Sequence, residues 1–110
     1  MIILEIKALT KDYENWGEDA DDFYVSFELD VGLPDIPGAS DLFTFNIISP
    51  KRLDKILVST KIELGHGYII MRDFNIKTVN STVETIMNKC KDDDYDKYMN
   101  NLAQYFKLQG

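Results

Sequence analysis

The chain has 110 residues, 45% of them apolar and 12% aromatic, with a single cysteine and a formal net charge of -7. That composition predicts one folded domain over residues 1–110 and excludes both disorder and an internal disulfide framework; chains that need staples usually fall below ~80 residues. No run approaches the ~18 apolar residues that cross a bilayer, and the opening MIILEIKALTKD has no basic n-region or small-residue cleavage site. The expectation is a cytoplasmic protein with no signal peptide and no membrane contact.

In chain order, Ile2, Leu4 and Ile6 alternate with Glu5 and Lys7, which predicts a strand reaching Thr10. Lys11 to Asp22 is polar and acidic, with Tyr13 and Trp16 embedded and Gly17 interrupting it. It reads as a loop of about a dozen residues, long enough to be a candidate functional loop. Phe23, Val25, Phe27, Leu29 and Val31 then alternate with Tyr24, Ser26, Glu28 and Asp30 in a second strand. Gly32, Pro34, Pro37 and Gly38 mark a connection.

The next stretch, Asp41 to Leu57, organises the rest. Phe43, Phe45 and Ile47 share one strand face, and Leu53, Ile56 and Leu57 then recur at helical spacing. The change falls at Ser49-Pro50, where Ser49 suits an N-cap and Pro50 the first helical position. Gly65 or Gly67 can close this helix. Tyr68 to Met71 reads as a short buried strand. Asn75 caps a helix carrying Ile76, Val79, Val83, Ile86, Met87 and Cys90, and a last helix starts near Asp93 or Asp94.

This order, βββαβαα, predicts an α+β domain: a mainly antiparallel four-stranded sheet packed against about three helices, with the Tyr68 strand parallel to the Asp41 strand. The expected core is Leu4, Val25, Phe27, Phe45, Ile47, Leu53, Ile56, Ile70, Val83, Ile86, Leu102 and Phe106.

Catalytic chemistry finds little support. His66 is the only histidine and sits in a glycine turn, Cys90 lies on an apolar helical stripe, and one of each cannot build a typical zinc site. Asp92, Asp94 and Asp96 mimic the start of a calcium loop, but Lys97 and Ala103 replace its glycine and its terminal glutamate. There is no glycine loop for phosphate. No catalytic residue, metal or cofactor is expected.

The charge is unevenly spread. From Asp12 to Pro50 there are ten acids and no Lys, Arg or His. Such a surface repels phosphate backbones, so direct nucleic-acid binding is not expected, and it attracts a basic protein partner. The candidate contact residues are Asp12, Tyr13, Glu14, Trp16, Glu18, Asp19, Asp21 and Asp22, extending to Glu28 and Asp30 on the second strand. The alternative for Asp12 to Asp22 is a solvated loop with Trp16 folded back onto the domain. Composition leaves the oligomeric state open.

Read together, these stretches resemble the immunity protein 8 family of bacterial polymorphic-toxin systems. The resemblance rests on Asp22-Phe23 opening a strand that ends Asp30-Val31-Gly32, and on Gly38 to Asp41 leading into Phe43-Thr44-Phe45-Asn46-Ile47-Ile48-Ser49-Pro50-Lys51-Arg52-Leu53. It continues through Gly67-Tyr68-Ile69-Ile70-Met71, Cys90 and the Leu102 to Phe106 helix. The family often has a tryptophan where this chain has Tyr95, and an aromatic-acidic tail where it has Lys107-Leu108. The resemblance implies a small cytoplasmic protein that binds and neutralises a cognate secreted toxin, many of which are basic nucleases. A non-catalytic interaction subunit, a self-associating domain and a small hydrolase are the other classes in view.

Overall fold

A computed structural model describes residues 4–36 and 40–109; Ile2, Pro37 and Gly38, named above, lie outside the described residues. The elements are β1 (Glu5–Trp16), β2 (Phe23–Gly32), β3 (Ser40–Ile48), α1 (Pro50–Thr60), β4 (Tyr68–Ile70), α2 (Ile76–Lys89), α3 (Tyr95–Leu102) and β5 (Lys107–Leu108). The expected α+β order holds, with one short strand added. The sheet runs β1-β2-β3-β4, antiparallel except for the parallel β3–β4 pair, and β5 joins β3 antiparallel at Phe43 and Thr44. A two-residue strand shows no period of its own, so pattern reading passes over it.

The alternation of β2 and β3 determines the two faces. Val25, Phe27 and Leu29 pair across the sheet with Ile47, Phe45 and Phe43, and with Phe23 and Val31 they form an inner face on which all eight of these side chains are buried. Against it pack Val79, Val83 and Met87 of α2 with its C-cap Cys90, then Tyr98, Met99 and Leu102 of α3, and Phe106. Phe45 is central: its ring lies 5.4 Å from Phe27 and 5.1 Å from Phe106. The caps behave as their chemistry dictates. Asn75 accepts from the amides of Lys77 and Thr78, and Asp94 accepts from that of Lys97.

Several sequence expectations are corrected. Lys11 to Asp22 is not a loop: β1 continues to Trp16, and only residues 17–22 turn. Two β-bulges, at Lys7 and Asp12, each add a residue and reset the facing of β1. Ile6, Leu9 and Trp16 thereby all reach the inner face despite their irregular spacing. Helix α1 is closed by Lys61, at φ 67°, not by a glycine, while Gly67, at φ 80°, turns the chain into β4.

The helices also divide between the two faces. Helix α1 has no fully buried residue, so Leu53 and Ile56 are only half-buried, as is Ile86 of α2. Ile70 is 56% exposed, because its register with Ile48 puts it on the outer face of an edge strand. Arg52 of α1 reaches Asn15, which pairs with Tyr24 on that same outer face. Ile48 is fully buried there without joining the core. Helix α1 therefore covers one end of the outer face, while α2 and α3 cover the inner one.

Phe45→Ala is expected to destabilise the fold by ~3–5 kcal/mol, since it deletes an aromatic ring from the centre of a close-packed core. Chemical denaturation monitored by circular dichroism measures this directly, and a loss below ~1 kcal/mol would contradict the packing described.

Candidate interaction surface

Ser49 connects three elements through one buried hydroxyl. Its Oγ accepts from the amide of Arg52, capping α1, and from the amide of Phe23, the first residue of β2, both at 3.1 Å. Its own amide donates to the Phe23 carbonyl at 3.1 Å. The start of α1 is thus held against the turn end of the β1–β2 hairpin. That proximity brings the acids of the turn onto the basic first turns of the helix.

Asp22, 2% exposed, receives Arg52 Nε on Oδ1 at 2.6 Å and Lys55 Nζ on Oδ2. Arg52 Nη1 also donates to Asn15 at 2.8 Å. Lys51 Nζ donates to Asp19 at 2.6 Å and to Asp21 at 3.4 Å. The Lys55 hydrogen bond, opposed by burial and assisted by Arg52, holds the Asp22 carboxyl below its ordinary value of 3.8. Lys51 does the same for Asp19. Opposite charges at hydrogen-bonding distance favour the ionised carboxylate.

This arrangement separates the ten sequence-predicted contact residues into groups. Asp22 is a structural carboxylate and is too buried to touch a partner, which corrects its place among the contacts. Asp19 and Asp21 are exposed but engaged by Lys51. Glu14 pairs with Lys11 across the second bulge. Trp16 is 42% exposed, yet its ring lies 5.0 Å from Phe23 and 5.9 Å from Phe74, so it is folded back onto the domain. Tyr13 is 53% exposed and meets Tyr24 edge-on at 6.3 Å. Asp12, Glu18, Glu28 and Asp30 have no ion-pair partner among the described residues.

Lys51, Arg52, Lys55 and Asn15 complete this cluster and are absent from the sequence-predicted contact residues. The signal was present. A helix N-terminus carries partial positive charge and favours acids, whereas the first turn of α1 has no acid and starts Pro50-Lys51-Arg52. Cations placed against the dipole there imply carboxylates supplied from elsewhere in the chain.

Other reactive side chains have structural surroundings. His66 Nε2 lies 2.7 Å from the Ala103 carbonyl and 3.2 Å from that of Phe106, bridging the glycine turn to the end of α3. Burial pushes the Cys90 thiol up, away from the reactive thiolate. Asp92 and Asp94 accept from backbone amides at the start of α3. Among the described residues no group of three or more His, Cys, Asp or Glu is placed to hold a metal ion, and no helix is long and apolar enough to cross a membrane.

Two outcomes follow from the Asp22 cluster. Because the folded-state value is depressed, Asp22 contributes stability at pH values above the ordinary 3.8, and that contribution disappears as pH falls through the lower value. Asp22→Asn is therefore expected to melt below wild type at neutral pH, with the gap closing as thermal melts are repeated below about pH 4. A Cβ on Gly17 would overlap the Asp22 carboxylate, 2.7 Å from its Cγ. Gly17→Ala should then cost ~1–3 kcal/mol, and most of that penalty should vanish in an Asp22→Ala background. Equal penalties in both backgrounds would contradict the proximity.

A family model described as Immunity protein 8 matches residues 3–109. No curated protein and no solved structure matches the chain.

Proposed function

Because the chain belongs to the Immunity protein 8 family, we propose that it binds and neutralises one cognate secreted toxin, protecting the producing cell and its kin. The observation that carries this reading is the family match across residues 3–109. It acts as a stoichiometric partner, by protein–protein contact in the cytoplasm, and not as an enzyme. The toxin is of basic character, as many nucleases are. Ten acids without an intervening base from Asp12 to Pro50 support that choice, since even after Lys51, Arg52 and Lys55 are counted the segment keeps an acidic surplus. Like-signed surface charge speeds encounter with an opposite partner, and salt weakens the effect.

A second reading, self-association, is favoured by one observation. Val58, Ile62 and Leu64 are 71%, 75% and 81% exposed along the exit from α1. Apolar side chains exposed together mark contact surfaces. Sedimentation over a range of concentrations separates the two readings: a monomer at all concentrations leaves only the toxin-binding one.

Expression of the toxin domain encoded beside this gene should arrest growth, and co-expression of this chain should restore it. The purified pair should associate with a rate constant that falls at least about tenfold between low and high salt. A chain that folds but neither binds that toxin nor restores growth would overturn the proposal.

A further inference from the structure

We infer that the toxin docks on the outer face of the sheet, a Lys/Arg-rich element lying over Glu28 and Asp30 with Tyr13 and Tyr24 as the aromatic anchor. The inference rests on the toxin-neutralising reading and assigns it a surface. Cross-strand register defines the face: Tyr24, Ser26, Glu28 and Asp30 of β2 pair with Ile48, Asn46, Thr44 and Leu42 of β3, and with Asn15, Tyr13, Thr10 and Ala8 of β1. The Ser26–Asn46 hydrogen bond at 2.7 Å lies on it. Helices α2 and α3 pack on the opposite face, and α1 covers only the Ile48 end. From Tyr24 to Asp30 this face runs about 20 Å along β2.

Three observations single out this face rather than the turn. First, three of the four turn acids are already engaged within the chain, Asp19 and Asp21 by Lys51 and Asp22 by Arg52 and Lys55, which leaves Glu18 as the one turn acid with no ion-pair partner among the described residues. Glu28 and Asp30 have no counter-ion among the described residues. Second, both acids sit in a central strand. Acids are depleted from strands, and their usual service in blunting a sheet edge cannot apply to β2, which is paired on both sides. Two carboxylates two residues apart on one face repel each other, and a cation from a partner relieves that repulsion. Third, Tyr13 stands more than half exposed beside Tyr24 on the same face. Tyrosine gives large contact area at low entropic cost. A second copy of this chain is a poor occupant, because its own acids would face these.

The test uses the full chain and the toxin domain encoded beside it. Glu28→Gln with Asp30→Asn should lower the association rate constant about tenfold or more and flatten its salt dependence. The same variant should melt at or above the wild-type temperature, which a structural role for these acids would not allow. Glu84→Gln with Asp93→Asn removes equal charge from the helical side and should change the rate less than about twofold. Tyr13→Ala should raise the dissociation rate about tenfold or more. If wild type binds and the two charge pairs behave alike, the surface assignment is overturned while the toxin-neutralising reading stands. If wild type does not bind, both are overturned.

Discussion

The structure depends on a buried carboxylate shared by two cations. Asp22 ends the hairpin turn, and Arg52 and Lys55 stand one helical turn apart on α1. Desolvating a carboxylate is costly, and hydrophobic replacement of a buried ion pair is often no worse for stability. What the pair contributes is direction. Together with Ser49 it determines where α1 leaves β3, and hence which end of the outer face the helix covers. If Asp22 lost its cations, the turn, the cap and the start of β2 would loosen together, since Ser49 hydrogen-bonds both Phe23 and the helix. Gly17 belongs to the same unit, because any side chain there would occupy the carboxylate's space.

Much of this fold could be read from residue order. The period-2 pattern of Phe23 to Val31 and the switch at Ser49-Pro50 identify the two central strands and α1, and the inner face they predict is the buried one. β1 was legible only to Thr10. Its bulges at Lys7 and Asp12 break the alternation, and an edge strand with one side in water tolerates Lys11, Asp12 and Glu14. Tyr68 to Met71 is apolar throughout, so its pattern does not show that Ile70 lies on the open side. Leu53 and Ile56 have the spacing of a buried stripe, but their helix meets only one end of a sheet face.

The candidate surface was half legible. Composition located the acids but not their partners, since ion pairs across 30 or more residues leave no local pattern. A window without bases that stops at Pro50 ends one residue before Lys51, the first of three cations that engage the acids of its turn. Register then supplied what composition could not: Glu28 and Asp30 share a face with Tyr13 although Asp12 to Trp16 belong to another strand. Tyr95 at the start of α3 joins an apolar ring to a polar tip that is in use. Its hydroxyl donates to Asp41 at 2.7 Å, and that bond, with burial, pushes its pKa up to about 12.

The second edge of β3 is completed by two short strands, β4 at Asn46 to Ile48 and β5 at Phe43 and Thr44. This has a kinetic consequence. β1, β2 and β3 can form a local meander early, since each pairs with its neighbour in sequence. β5 returns from more than 60 residues away, so its pairing must await closure of a long loop that contains both α2 and α3. His66, which reaches the carbonyls of Ala103 and Phe106, ties the turn before β4 to the segment that leads into β5. From that separation the exposed edge of β3 is expected to be the last part of the sheet to close, when the helical half of the chain reaches the strands.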